Sequence, residues 1–223
     1  MCGSMQAAAR KKLRRLLTSK GIPEPIIAMV LGEPFTLPGD DRPPQNLIRN
    51  SPLIVFLNVD GTSHVEIMRW GILPQWKRDR GDTMPLINAR SETVFTTRSF
   101  KTAARERRCV VFCDGFFEPR AEHSTAPHAR YLFKSSNDEL LAIAAIWSPS
   151  ETDPAKEVCI LTTQPNGTVG PIHDRMPVLL DEQGVHFWCD NKSSEADLSA
   201  LMQPFPDDCL TASPIEKVRK RNA

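Results

Sequence analysis

Apolar positions follow two periods along this chain, and each period predicts its own element type. Ala9, Leu13, Leu16 and Leu17 form one stripe among basic residues, which predicts an amphipathic helix over 5–20. Gly21 and Pro23 end it. Leu53–Val59 and Ser63–Arg69 flank Asp60-Gly61, the strongest hairpin signal present. Cys109–Cys113 reads as a short strand running into Asp114-Gly115. His128–Phe133 and Leu140–Trp147 flank a Ser-Ser-Asn-Asp turn and predict a second hairpin, and Glu157–Thr163 predicts a further strand. Helical patterns cover 98–107 and Ser193–Met202, the latter with a serine cap and early acids. Residues 32–46, with four prolines and two glycines, read as a loop; a second loop surrounds Trp70–Trp76, and a polar stretch covers 77–83. Many short strands with few helices predict an α+β fold: one domain of curved antiparallel β-sheets forming a barrel-like core with flanking helices. The domain is expected to span 1–215, with a basic C-terminal tail at 216–223.

Composition narrows the class. A chain of 223 residues, 40% hydrophobic and 25% charged, suits one globular domain. No apolar run approaches a membrane span, and no apolar signal region follows Met1. A cytoplasmic location follows, nucleoid-associated if the source is bacterial, with six reduced cysteines. No Cys-x-x-Cys pair occurs, so a zinc site is not expected; no metal and no cofactor are expected. The net charge of +1 hides an uneven distribution. Residues 69–108 hold ten Lys/Arg against four acids, whereas 181–208 hold seven acids and one lysine. The basic stretch is a candidate nucleic-acid face.

The candidate chemistry starts at Cys2. Removal of Met1 would give it a free α-amine and a thiol on adjacent carbons. The amine can form a Schiff base with an aldehyde, and the thiol can close onto the same carbon as a five-membered thiazolidine. The same pair also suits an N-terminal thiol nucleophile with the amine as its base. Four further segments place polar residues beside strand ends. They are Trp70-Gly71-Ile72-Leu73-Pro74-Gln75-Trp76, Asn88-Ala89-Arg90-Ser91-Glu92-Thr93, Asp114-Gly115-Phe116-Phe117-Glu118 and Ile172-His173-Asp174-Arg175-Met176-Pro177. With Met1-Cys2-Gly3, in this order and spacing, the chain resembles the SOS-response-associated peptidase (SRAP) family from Cys2 to about residue 215.

The resemblance implies a monomer that binds single-stranded DNA containing abasic sites and captures the ring-opened sugar through a thiazolidine. It also implies a thiol autopeptidase that removes its own Met1. Cys2 would be the crosslinking nucleophile, with Asn88, Glu118 and His173 as its catalytic partners. Arg90 and Arg175 would hold the DNA backbone, and Thr162 would line the pocket. Elementary chemistry agrees. An α-amine with a pKa of about 8 has a usable neutral fraction, a carboxyl lifted at a strand end can donate a proton, and a histidine can shuttle one. Trp70 and Trp76 could stack on unpaired bases. Taken singly, each residue invites a plainer reading: Glu118 paired with an arginine, His173 in the core, Trp70 and Trp76 as core anchors, Asn88 as a turn residue. The chain departs from the family at Ser4, where Arg is usual, at Gln45–Arg49, and at Pro119, where Trp is usual. Two rivals remain: a peptide-cleaving thiol hydrolase using Cys2, and a non-covalent single-stranded-DNA-binding module.

Overall fold

The computed structural model describes residues 2–31, 46–59, 61–120, 130–150 and 155–215. The sequence reading of 5–20 as one helix divides. Ser4–Ala7 is strand β1, and the helix α1 spans only Arg10–Ser19, burying Leu13 and Leu17. Strand pairing on both edges of β1 overrides its helical pattern. A second helix, α2 (Glu24–Leu31), follows. The proposed loop over 32–46 lies outside the described residues up to 45, and Asn46–Ile48 is strand β2. The hairpin forms as expected, from β3 (Pro52–Val59) and β4 (Thr62–Trp70), with Gly61 at φ +81° in its turn. The short helix α3 (Gln75–Arg78) and strand β5 (Asn88–Arg90) come next. The helical pattern at 98–107 settles as α4 (Lys101–Glu106).

The strand read as Cys109–Cys113 does not stop at Asp114-Gly115. It continues as β6 (Arg108–Pro119), twelve residues long and buried up to Glu118. Opposite it, β1 shifts register between Gln6 and Ala7, pairing Gln6 with Gly115 and Ala7 with Cys113, so Asp114 bulges. A Cβ at Gly115 would lie 2.5 Å from the Phe133 carbonyl oxygen. Glycine is therefore required there by a close backbone approach, not by a turn.

The second expected hairpin does not form. Strands β7 (Arg130–Ser135) and β8 (Leu141–Ser148) do not pair with each other. Each instead pairs antiparallel with a different half of β6, β8 against Arg108–Cys113 and β7 against Phe116–Pro119. Their burial explains the choice. The first six residues of β8 are all buried, as in a strand covered on both faces, whereas β7 is mostly half-exposed. Phe116 and Phe133 are direct partners and stack at 4.9 Å, which helps fix the β6–β7 register.

Strand β9 (Glu157–Thr163) matches its expectation. The short strands β10 (Met176–Pro177) and β11 (Leu179–Leu180) lead to helix α5 (Glu182–Cys189), which sequence periodicity missed. Helix α6 (Glu195–Leu201) carries the expected cap, a reciprocal box between Ser194 and Asp197. Strand β12 (Leu210–Ile215) pairs with β7, and the basic tail at 216–223 lies outside the described residues.

All twelve strands join one large curved sheet, and β3, β4, β9, β8 and β6 close into a ring. The sheet is mixed, not wholly antiparallel: β9 runs parallel to both β4 and β5. Alternate residues sort onto two faces. Val55, Trp70, Val111, Ile143 and Ile160 share one core cluster with Cys2 and Met5. Phe56, Val110, Ala144 and Cys159 pack on the other face with Leu13, Leu17 and Trp188 from the helices. Among the described residues, no helix is long and apolar enough to cross a membrane.

Candidate active site

The antiparallel register of β1 and β6 builds the site. Met5 lies opposite Phe116 and Ser4 opposite Phe117, so moving back along β1 toward Cys2 moves forward along β6 toward Glu118. Both residues are fully buried. Asn88 arrives on β5, held in register by Ile160 of β9, and its Nδ2 donates to the Cys2 carbonyl oxygen at 2.9 Å. Its Oδ1 is buried with no hydrogen-bond partner among the described residues. His173 follows a turn in which its own N–H donates to Val169 O at 2.9 Å. Its Nε2 stands 3.5 Å from Glu118 Oε2. The Arg175 N–H lies 3.1 Å from His173 Nδ1 and the Arg175 carbonyl oxygen 3.0 Å from it, so Nδ1 can accept from the one or donate to the other, while Nε2 faces Glu118.

Burial sets the charge states. It lifts the Glu118 carboxyl from the usual 4.5 to about 8, so this acid holds its proton at neutral pH. Burial lowers His173, favouring the neutral ring. Burial also pushes the Cys2 thiol well above its ordinary range, with the Glu118 charge acting in the same direction. The resting sulfur is therefore a thiol, not a thiolate. The site holds a neutral acid, a neutral imidazole and an uncharged sulfur in one cluster.

The remaining candidates separate by exposure. Arg90 is exposed at the end of β5, two residues from Asn88. Arg175 is buried: its guanidinium grips both Glu92 oxygens, the Nη2–Oε2 bond being 2.9 Å, and donates to Thr162 O at 2.6 Å. Thr162 is buried beneath it, its hydroxyl 3.3 Å from the same Nη2. Trp70 has no exposed face; its Nε1 donates to Ile87 O at 3.0 Å, so burial excludes it as a stacking platform and makes it a core anchor. Trp76 is half-buried, bonded to Ser99 Oγ at 3.0 Å and flanked by Lys77 and Arg80.

The basic stretch divides in the same way. Arg108 is buried and donates to Trp188 O, Ala104 O and Asp190 O. Arg69 and Arg78 both bond to the buried Glu157, which also accepts from Leu73 N at 2.8 Å. Arg80, Arg90, Arg98 and Lys101 stay exposed. Sequence reading passed over Glu157 and Arg130. Glu92 lies within the Asn88–Thr93 motif, and a carboxylate so close to Asn-Ala-Arg was a usable signal for a guanidinium partner.

Comparison with known proteins fits this arrangement. The profile of SOS response associated peptidases (SRAP) matches residues 1–220, and the chain belongs to that family. The abasic site processing protein YoqW of Bacillus subtilis (strain 168) is 32% identical over 183 residues, covering 80% of this chain and 81% of that protein. The abasic site processing protein YedK of Escherichia coli (strain K12) is 27% identical over 157 residues, covering 70% and 68%. The fold matches a crystal structure of a protein from Bacteroides thetaiotaomicron with a TM-score of 0.77 at 21% identity, covering 96% of this chain and 92% of the other.

Proposed function

We propose that this protein captures abasic sites in single-stranded DNA as a covalent adduct on Cys2. The observation that carries this reading is the convergence of Cys2, Asn88, Glu118 and His173, from four separate parts of the chain, on one cluster in which Cys2 and Glu118 are buried and Asn88 and His173 half-buried. The names of the bacterial relatives point to the same lesion.

The chemistry requires that Met1 be removed, by the protein itself or by its host, to release the α-amine. Asn88 holds the Cys2 carbonyl, and its unpartnered Oδ1 is a ready acceptor for that amine. The amine nitrogen adds to the sugar aldehyde at C1′ to give a carbinolamine. Glu118, protonated at neutral pH, donates to the departing hydroxyl, which leaves as water. The Cys2 sulfur then adds to the resulting iminium carbon, and its proton returns to the Glu118 carboxylate. Aldehyde and cysteine become thiazolidine and one water. His173, facing Glu118 through Nε2, moves protons to and from the sugar oxygen.

An extended, unpaired strand suits a buried nucleophile, because the sugar has to leave the base stack to reach it. The four groups lie on one chain, so a monomer suffices. Arg90 supplies a phosphate contact beside Asn88, and Trp76 offers a half-open ring to a base. Arg175 and Thr162 serve instead as a brace that fixes the backbone after His173. A thiol hydrolase is less well supported, because the buried sulfur is not a thiolate and the Asn88 amide is spent on Cys2 itself.

The test is a denaturing gel and intact-mass measurement after mixing mature protein with an abasic oligonucleotide. A heat-stable adduct of protein plus DNA minus one water is expected, and Cys2→Ala should abolish it. Turnover of peptides without any DNA adduct would establish the hydrolase instead.

A further inference from the structure

The proposed chemistry leaves one cation near Cys2 without a task. The registers place Ser4 opposite Phe117 and Pro119 opposite Arg130, which sets Ser4, Phe117, Pro119 and Arg130 on one face of β1, β6 and β7. Arg130 is exposed, yet its guanidinium is fixed at two points. Its Nη2 donates to Ser4 Oγ at 2.6 Å, and the group stands 4.9 Å over the centre of the Phe117 ring. Ser4 and Phe117 are themselves buried, so the floor beneath the guanidinium is rigid. The Ser4 hydroxyl carries no charge, and among the described residues no carboxylate lies within ion-pair distance of Arg130. The cation is thus held on Ser4, two residues along the chain from Cys2, and no carboxylate among the described residues neutralises it. Burial raises Glu118, and the Arg130 charge opposes that rise, a sign that the guanidinium field reaches the catalytic acid.

We infer that Arg130 binds the phosphodiester next to the captured sugar, with Ser4 and Phe117 holding its fork in position. This inference rests on the abasic-capture reading. A planar fork anchored on an aromatic ring and one hydroxyl is pre-organised for two phosphate oxygens. Asn88 reaches the Cys2 segment from β5, two residues before the exposed Arg90, whereas Arg130 reaches it from β7, so the strand would be held from two elements. Phosphate binding would also draw on the charge beside Glu118 when DNA is present and not in its absence.

The experiment measures binding of an undamaged single-stranded oligonucleotide across a salt series, and single-turnover crosslinking of its abasic counterpart. Wild type, Arg130→Ala and Arg130→Lys are compared, with thermal melting as the control for folding. Arg130→Ala should bind about tenfold more weakly at low salt. Its log–log salt slope should shrink by about 0.7, the loss of one phosphate contact to a single strand. Arg130→Lys should keep the wild-type slope, because the charge remains, and lose a few-fold in affinity with the fork. An Arg130→Ala protein with wild-type slope and affinity would overturn the inference while capture by the wild type stands. A wild type that forms no adduct would instead overturn the capture reading, and with it this one.

Discussion

Glu118 and Glu157 are both buried carboxyls at strand ends, and they do opposite things. Glu157 opens β9 and receives Arg69, Arg78 and the Leu73 N–H. Three donors replace the water it gave up, and the loop from Gly71 to Arg78 hangs on it. Glu118 closes β6 against an imidazole at 3.5 Å, and burial holds it protonated at neutral pH. Glu157 is tied to two guanidinium groups and a backbone N–H, and it builds. Glu118 keeps its proton at neutral pH, the state that the proposed donation needs. What separates them is the company each is given, since the residue type and the depth are the same.

This contrast can be broken from either side. Glu157→Ala should have the largest effect on stability, about 3–5 kcal/mol, because it strands two guanidinium groups and a backbone N–H together. Chemical denaturation would show it as a lower midpoint. A loss under 1 kcal/mol would mean that the loop is held by its other contacts.

Glu118→Gln should go the other way. A carboxyl raised from 4.5 to about 8 binds its proton more tightly folded than unfolded. That contribution is fully present below pH 4.5 and is lost as pH rises through 8. At pH 7 the shortfall relative to an unperturbed acid is about 3 kcal/mol. The glutamine variant removes the titration, so its melting temperature should gain on wild type as pH rises from 5 to 8. Identical pH dependence in the two proteins would contradict the raised pKa. Crosslinking by the same variant should slow by about 10²–10⁴-fold.

Glu92→Gln should show the smallest effect, about 1 kcal/mol, because the Glu92 side chain is 41% exposed and its pairing is screened. Its bond to Arg175 lowers its pKa to about 2, so the pair stabilises above pH 4.5 and that stability is lost as pH falls toward 2. The gap between wild type and variant should therefore close in acid. A gap that persists at pH 2 would show that the glutamine acts through packing.

Sequence reading reached the site further than it reached the sheet. Cys2, Asn88, Glu118 and His173 were legible because reactive types stood in ordered motifs, and three-dimensional packing brings these four together. Arg175 and Trp70 were legible as types, but their burial and their bonds to Glu92, Thr162 and Ile87 O were not, since local spacing carries no burial. Strand partners were harder. Arg130–Ser135 and Leu141–Ser148 carry a turn between them, yet the length of β6 offers each a separate half, and local spacing cannot register that competition. The strand was read as ending where it runs into Asp114-Gly115, because glycine at a close backbone approach has the same spelling as glycine at a strand end. The strand Ser4–Ala7 was hidden inside a helical pattern whose apolar stripe belongs to the next ten residues.

The most direct test of Glu118 as the proton donor is the rate of single-turnover crosslinking as a function of pH. In wild type the rate should rise as the α-amine loses its proton and fall again above about pH 8 as Glu118 ionises. Glu118→Gln should be slower throughout and lack the falling limb. A wild-type rate that stays flat to pH 10, or a Glu118→Gln profile that superimposes on the wild type, would contradict the account.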